Sequence, residues 1–116
     1  MDDASYARAI ADRRSAVRER LAEIETRLAE VRRGRAEWTD EEHDPEGFTL
    51  THEWSRIEGD RLRLGGELLE LDRAESRLAD GDFGRCRSCG ELIPLEQIAR
   101  QPTRTECVAC ARRGER

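Results

Sequence analysis

Hydrophobic positions in the first eighty residues fall into two stripes. In the first, apolar residues occur at Ile10, Val17, Leu21, Ile24, Leu28 and Val31, with Trp38 one heptad further on. From Val17 to Val31 the steps alternate between four and three, which is the seam of a coiled coil and predicts one helix over residues 6–38. Arg14 interrupts this seam, and Gly34 weakens the helix near its end. The second stripe runs through Leu50, Trp54, Ile57, Leu64, Leu68, Leu71 and Leu78, with Arg61 and Glu75 filling its gaps. It predicts a helix over residues 50–79, with Leu62 and Leu69 widening the stripe locally. Gly65 and Gly66 sit in the middle of that helix, where each costs up to about 1 kcal/mol relative to alanine. They would permit either a bend or a close approach of the two helices. Asp80-Gly81-Asp82 then supplies a helix stop.

Between the stripes, "TDEEHDPEGFT" (39–49) has turn chemistry: Asp-Pro, a glycine, and Thr49 or Thr51 as an N-cap. Two helices of similar length joined by a short turn run antiparallel. Each would be about 45–50 Å long at the α-helical rise. The economical arrangement is an intramolecular coiled-coil hairpin, because the two stripes then bury each other. An intermolecular coiled coil is the alternative, and the Pro/Gly segment would be an odd interruption in it. The expected fold class is therefore mainly α, with residues 1–80 as a helical hairpin and residues 81–116 as a separate small module.

Charge sharpens this picture. Charged residues make up 41% of the 116-residue chain and aromatics 4%, too polar for a thick globular core and suited to exposed helices that bury one narrow stripe. Residues 1–80 hold 14 arginines against 21 acids, and residues 81–116 hold 7 against 5. An acidic chain argues against tight, nonspecific DNA binding, which depends on phosphate neutralisation. The hairpin tip is the most acidic part. No basic residue falls between Arg35 and Arg56, whereas Glu37, Asp40, Glu41, Glu42, Asp44, Glu46 and Glu53 do. Such a run is either a solvated loop or a probe that carries carboxylates into a basic or metal-containing site on a partner. Trp38, Phe48 and Trp54 are expected to close the tip by packing. The N-terminal stretch "MDDASYARAI" has neither a basic n-region nor an apolar h-region. No apolar run reaches the length of a membrane span, so a cytoplasmic location is expected.

All four cysteines lie near the C-terminal end, as Cys86-x-x-Cys89, seventeen intervening residues, and Cys107-x-x-Cys110. This is the spacing of a four-cysteine zinc site. Two residues between thiolates let one tight knuckle place both sulfurs on the same ion, and Gly90 relieves the turn after the first pair. A single structural Zn²⁺ would also replace a core that so few residues can scarcely build. A thioredoxin-like redox pair would need a βαβ context, and two disulfides an oxidising compartment. His43 and His52 lie near the tip and read as surface residues. Inside the loop, "PLEQIAR" (94–100) predicts a short helix begun by Pro94 and ended by Pro102, packed through Leu92, Leu95 and Ile98. Arg85, Arg87, Arg100 and Arg104 make this end locally basic, for contact with an acidic surface or nucleic acid, or simply to compensate the charge of the metal site.

The segment "DFGRCRSCGELI…IARQPTRTECVAC" resembles the zinc-finger segment of the DksA/TraR family of bacterial transcription regulators. Shared features are Asp82-Phe83-Gly84, the CxxCG knuckle, a Pro-Thr before the second pair, the seventeen-residue gap, and the order of hairpin then finger. The resemblance implies a protein that binds RNA polymerase directly rather than promoter DNA. Its coiled coil would enter the secondary channel, with acidic tip residues near the active centre, while the finger and its neighbours, here Arg85, Arg87, Arg100 and Arg104, steady it at the rim. Family members often act together with the alarmone ppGpp, but no residue of this sequence is assigned to it. The family's tip pattern is Asp-x-x-Asp-x-Ala. Here Asp44-Pro45 is followed by Glu46-Gly47-Phe48, so Gly47 takes the second aspartate position and the alanine is missing. Asp44 and Glu46 are the nearest substitutes, with Asp40, Glu41 and Glu42 as further candidates.

The expected function is therefore modulation of transcription initiation through the polymerase secondary channel. The alternative is a zinc-stapled coiled-coil adaptor that binds another protein along its arginine/glutamate faces. A nucleic-acid-binding zinc ribbon with a helical dimerisation arm fits the net charge poorly. No nucleophile–base set, phosphate loop or open metal position marks the chain as an enzyme.

Overall fold

A computed structural model of the chain describes the backbone of residues 3–37 and 45–114, and the side chains of residues 3–34 and 52–114. The fold is mainly α. Among the described residues it comprises α1 (Asp3–Glu37), α2 (Pro45–Ala79), α3 (Leu95–Arg100) and α4 (Val108–Gly114). The first two form the antiparallel coiled-coil hairpin that the stripes predict, and the four-cysteine finger follows.

The start of α2 differs from expectation. Residues 45–49 are helical rather than turn, so neither Thr49 nor Thr51 is a cap. Proline is well suited to the first helical position, because its fixed φ matches the helix and no intrahelical bond needs its missing N–H. The other end stops as predicted. Gly81 takes φ +78°, its N–H donates to the Leu78 carbonyl at 3.1 Å, and the Asp82 N–H donates to the Arg77 carbonyl at 2.8 Å. This pair of bonds is a Schellman closure.

By its contacts the chain divides into two compact units, Val17–Gly66 and Met1–Ala16 with Glu67–Arg116. In Val17–Gly66, the seam residues Val17, Ile24, Leu28 and Val31 of α1 are buried, as are Ile57 and Leu64 of α2, while Leu21 is half-buried. Ion pairs line the edges of this seam. Arg27 Nε donates to Glu53 Oε1 at 2.8 Å, and Arg61, the residue in the α2 gap, turns back to Glu58 at 2.9 Å. Trp54 is half-buried under the Arg32 guanidinium, 5.4 Å from the ring centroid. A Cβ at Gly65 or Gly66 would meet nothing within 4 Å, so close helix approach is not the reason for these glycines. Leu62 does not widen the stripe: it is 69% exposed, one residue past a seam position.

In the other unit, α1 and α2 meet through Ile10, Leu71 and Ala74, all buried. Arg14, which interrupts the α1 seam, lies against the interruption in α2. Its guanidinium donates to Glu75 Oε2 at 2.8 Å and to Asp72 Oδ1 at 3.0 Å, and only 17% of its side chain is exposed. These carboxylates raise its pKa further, the Glu75 hydrogen bond being the largest cause. Two interruptions that weaken the stripes separately thus form one polar layer, a device that fixes helix register. Arg13 adds a bond to Glu67 at 2.8 Å. Leu69 of α2 is exposed, contrary to the wider stripe expected there.

Candidate metal centre

The finger opens with Phe83 and Gly84 against the first helix. Tyr6 of α1 is buried and its ring lies 4.7 Å from that of Phe83, tilted by 59°. Gly84 has φ +88°, and a Cβ there would stand 2.6 Å from the Tyr6 hydroxyl oxygen, so both the backbone and the close approach require glycine. Around this contact Tyr6, Cys86, Ile93, Ile98 and Cys110 form one small core, with Ala9, Leu78, Phe83 and Cys107 packed against it.

Backbone bonds build the knuckles. The Gly90 N–H donates to the Cys86 carbonyl at 2.9 Å, and the Cys86 N–H to the Glu91 carbonyl at 2.8 Å. Gly90, at φ +78°, turns the chain so that Arg85 and Leu92 pair as an antiparallel bridge. The second knuckle is tied to the first by the Arg87 N–H on the Thr105 carbonyl at 2.9 Å and by Ser88 Oγ on Glu106 Oε2 at 2.7 Å. Gln97 of α3 accepts the Val108 N–H at 3.0 Å, satisfying a part-buried donor that has no intrahelical partner at the start of α4.

All four cysteines are free thiols, and their sulfurs lie within 4.8 Å of one another. Four sulfurs from two CxxC knuckles, with no disulfide among them, fit tetrahedral zinc. Cys86, Cys89, Cys107 and Cys110 therefore hold one structural Zn²⁺. With four thiolate ligands the ion has no open position, and it supplies folding energy rather than chemistry. The protein prepares the site unevenly. Backbone amides of Cys107 and Cys89 that point at the Cys86 sulfur pull its pKa down to about 6. Arg113 Nη2 donates to the Cys110 sulfur at 3.0 Å and favours its thiolate. The neighbouring Cys107, burial, and the other two sulfurs outweigh that bond, so the metal-free Cys110 thiol is pushed up to about 12.

Residues 81–116 match the sequence signature of the prokaryotic dksA/traR C4-type zinc finger. The chain carries a DksA/TraR zinc finger. Beyond the finger the likeness is one of fold. The structure of transcription factor DksA2 from Pseudomonas aeruginosa aligns over 99% of this chain and 86% of that chain, with a TM-score of 0.61 at 23% sequence identity. A comparison with curated proteins found no match.

Within the DksA/TraR finger, the four predicted ligands converge, and α3 runs from Leu95 to Arg100 behind Pro94 as expected. The packing residues differ: Leu92 and Leu95 are 53% and 38% exposed, and Ile93 joins Ile98 in the core. The antiparallel bridge turns alternate residues to opposite sides, which sends Ile93 inward and Leu92 outward. Of the predicted rim arginines, Arg85 braces the first knuckle through the Gly90 carbonyl at 2.7 Å. Arg104 holds the Glu106 carbonyl at 3.1 Å and Gln101 Oε1 at 3.0 Å. Arg87 and Arg100 are exposed. Sequence reasoning missed Arg113, although its position one turn after Cys110 is a signal for a cation beside a thiolate. It also missed Tyr6, which falls one turn before Ile10 but off the alternating seam.

The candidate tip residues Asp40, Glu41, Glu42 and Asp44 lie outside the described residues, as do His43 and Trp38. Glu46 and Phe48 are on the helical backbone of α2, with their side chains outside the described set. His52 is exposed, as expected of a surface residue. Among the described residues no helix is long and apolar enough to cross a membrane.

Proposed function

We propose that this protein is a non-enzymatic transcription regulator that binds RNA polymerase directly and modulates initiation by inserting the acidic tip of its hairpin into the secondary channel. The carrying observation is the conjunction of a DksA/TraR zinc finger with a hairpin-plus-finger fold shared with a transcription factor over nearly the whole chain. The acidic composition supports a protein partner over DNA, since no excess of cations is available for phosphate neutralisation. In this reading the division of labour falls near residue 80. The hairpin of residues 1–80 is the arm, Asp44 and Glu46 act at the polymerase active centre with Asp40, Glu41 and Glu42 as further carboxylates, and Arg85, Arg87, Arg100 and Arg104 contact the channel rim. It works in the cytoplasm, where the thiols stay reduced for zinc.

The test is a pull-down with polymerase core combined with in vitro initiation assays. The double variant Asp44→Asn/Glu46→Gln should bind core with near wild-type affinity and lose the effect on initiation. A wild-type protein with no affinity for core, and no competition with other secondary-channel factors, would falsify the reading. Loss of binding on tip neutralisation would relocate the contact from the rim to the tip.

A further inference from the structure

A second feature of the finger is a small cationic cavity that borders Gly84. Its lining comprises Arg77 near the end of α2, Asp82, Arg85 and Arg87 of the first knuckle, and Arg104 and Thr105 ahead of the second, around a volume of about 30 Å³. Four arginines and one aspartate line it, with Arg85 Nη1 and both Nη atoms of Arg104 already engaged by protein oxygens. Two of the arginines bring buried donors with no hydrogen-bond partner among the described residues, Nη2 of Arg77 and Nε of Arg104. Burying a charged donor without a partner is costly, and such groups in native proteins call for an explanation. Burial and then the neighbouring Arg87 lower the pKa of Arg77, against the smaller opposing pull of Glu70 and Asp82.

An anion resolves all of these strains together. It would accept the two orphaned N–H groups, screen Arg77 from Arg87, and use the fork geometry that suits guanidinium to oxyanions. Asp82 alone cannot neutralise four cations. The excess favours a multiply charged oxyanion over a single carboxylate, and the volume admits an oxygen of such a group rather than a base or ring. We infer that the pocket formed by Arg77, Arg85, Arg87 and Arg104 is a binding site for a small phosphate-class anion, which pins the finger to the end of α2. The site is independent of the polymerase reading, since it needs only the residues of the finger and α2.

Inorganic phosphate is the probe, titrated into the zinc-loaded full chain at constant ionic strength set with sodium chloride. The readout is the NMR cross-peak of the Arg104 Nε–H, one of the two orphaned donors. A saturable shift is expected, and Arg77→Gln and Arg87→Gln should each weaken phosphate on the order of 10-fold, the usual effect of losing a charged hydrogen-bond donor. Arg18→Gln, on the far part of α1, should leave it unchanged. Zinc content checks that each variant keeps its finger. A shift that chloride reproduces equally, or variants that bind like wild type, would overturn the site. Acetate binding as tightly as phosphate would overturn its assignment to the phosphate class.

Discussion

Gly84 is the position where the structure makes its sharpest energetic demand. A Cβ at this residue would lie 2.6 Å from the Tyr6 hydroxyl oxygen and 2.8 Å from Cζ, and the backbone φ is +88°. Gly84→Ala therefore carries two separable costs. The left-handed backbone costs an L-residue about 1–2 kcal/mol. Forcing the Tyr6 ring aside in a packed core adds about 1–3 kcal/mol. The total of roughly 2–5 kcal/mol is a large share of a small domain's stability and should lower Tm by on the order of 10 °C or more. Gly81 supplies the control: its φ is +78° but a Cβ would meet nothing within 4 Å, so Gly81→Ala shows the backbone cost alone. Tyr6→Ala opens the space, and in that background Gly84→Ala should cost little more than Gly81→Ala. Urea denaturation of the zinc-loaded protein, arranged as a double-mutant cycle, measures the coupling between residues 6 and 84. Equal costs for Gly84→Ala and Gly81→Ala in the wild-type background, or no coupling with Tyr6, would refute the claim that α1 and the finger meet through this contact.

Other consequences are smaller but as direct. Gly65→Ala and Gly66→Ala should each stabilise the protein by about 0.5–1 kcal/mol in thermal melts, because the added methyl meets open space and the helix loses an entropic weakness; destabilisation would mean that α2 depends on bending there. Arg14→Glu should cost about 2 kcal/mol by setting a third carboxylate against Asp72 and Glu75, and Glu75→Arg added to it should restore part of the loss; no rescue would argue against the polar layer. Chelation of the zinc should unfold the finger, because the ion rather than a large core holds the knuckles together; hydrogen-exchange protection of the Cys86 and Gly90 amides should then be lost, and protection that survives chelation would contradict the structural role of the metal.

What could be read from sequence followed from how local each signal is. The 3/4 spacing marks a seam whatever the partner, and Val17, Ile24, Leu28 and Val31 are buried as that spacing requires. A CxxC pair is likewise a local device, since two residues between thiolates already bring both sulfurs to one ion. Leu62 and Leu69 are apolar yet exposed, because each lies one place past a seam position and is rotated about 100° away from it. Tyr6 shows the opposite error. It belongs to the core of the finger rather than to the α1–α2 seam, so no periodicity within α1 alone could assign its partner.

Polar residues within the seam carry the information that periodicity cannot. Read along one helix, Arg14 and Glu75 are defects, and each lowers the case for a coiled coil. Read across the hairpin they select one alignment of the two helices, because sliding either by a heptad would set Arg14 against apolar positions and strand its charge. The same reasoning reaches the finger. Arg113 on the Cys110 sulfur, Arg85 on the Gly90 carbonyl and Arg104 on the Glu106 carbonyl each have a structural task that local basicity does not reveal. Arg77 differs, since its buried Nη2 has no acceptor among the described residues and no bond of its guanidinium braces the finger. In the proposed anion pocket, then, Arg85 and Arg104 do both jobs, each with part of its guanidinium already engaged, and Arg77 is left for the ligand.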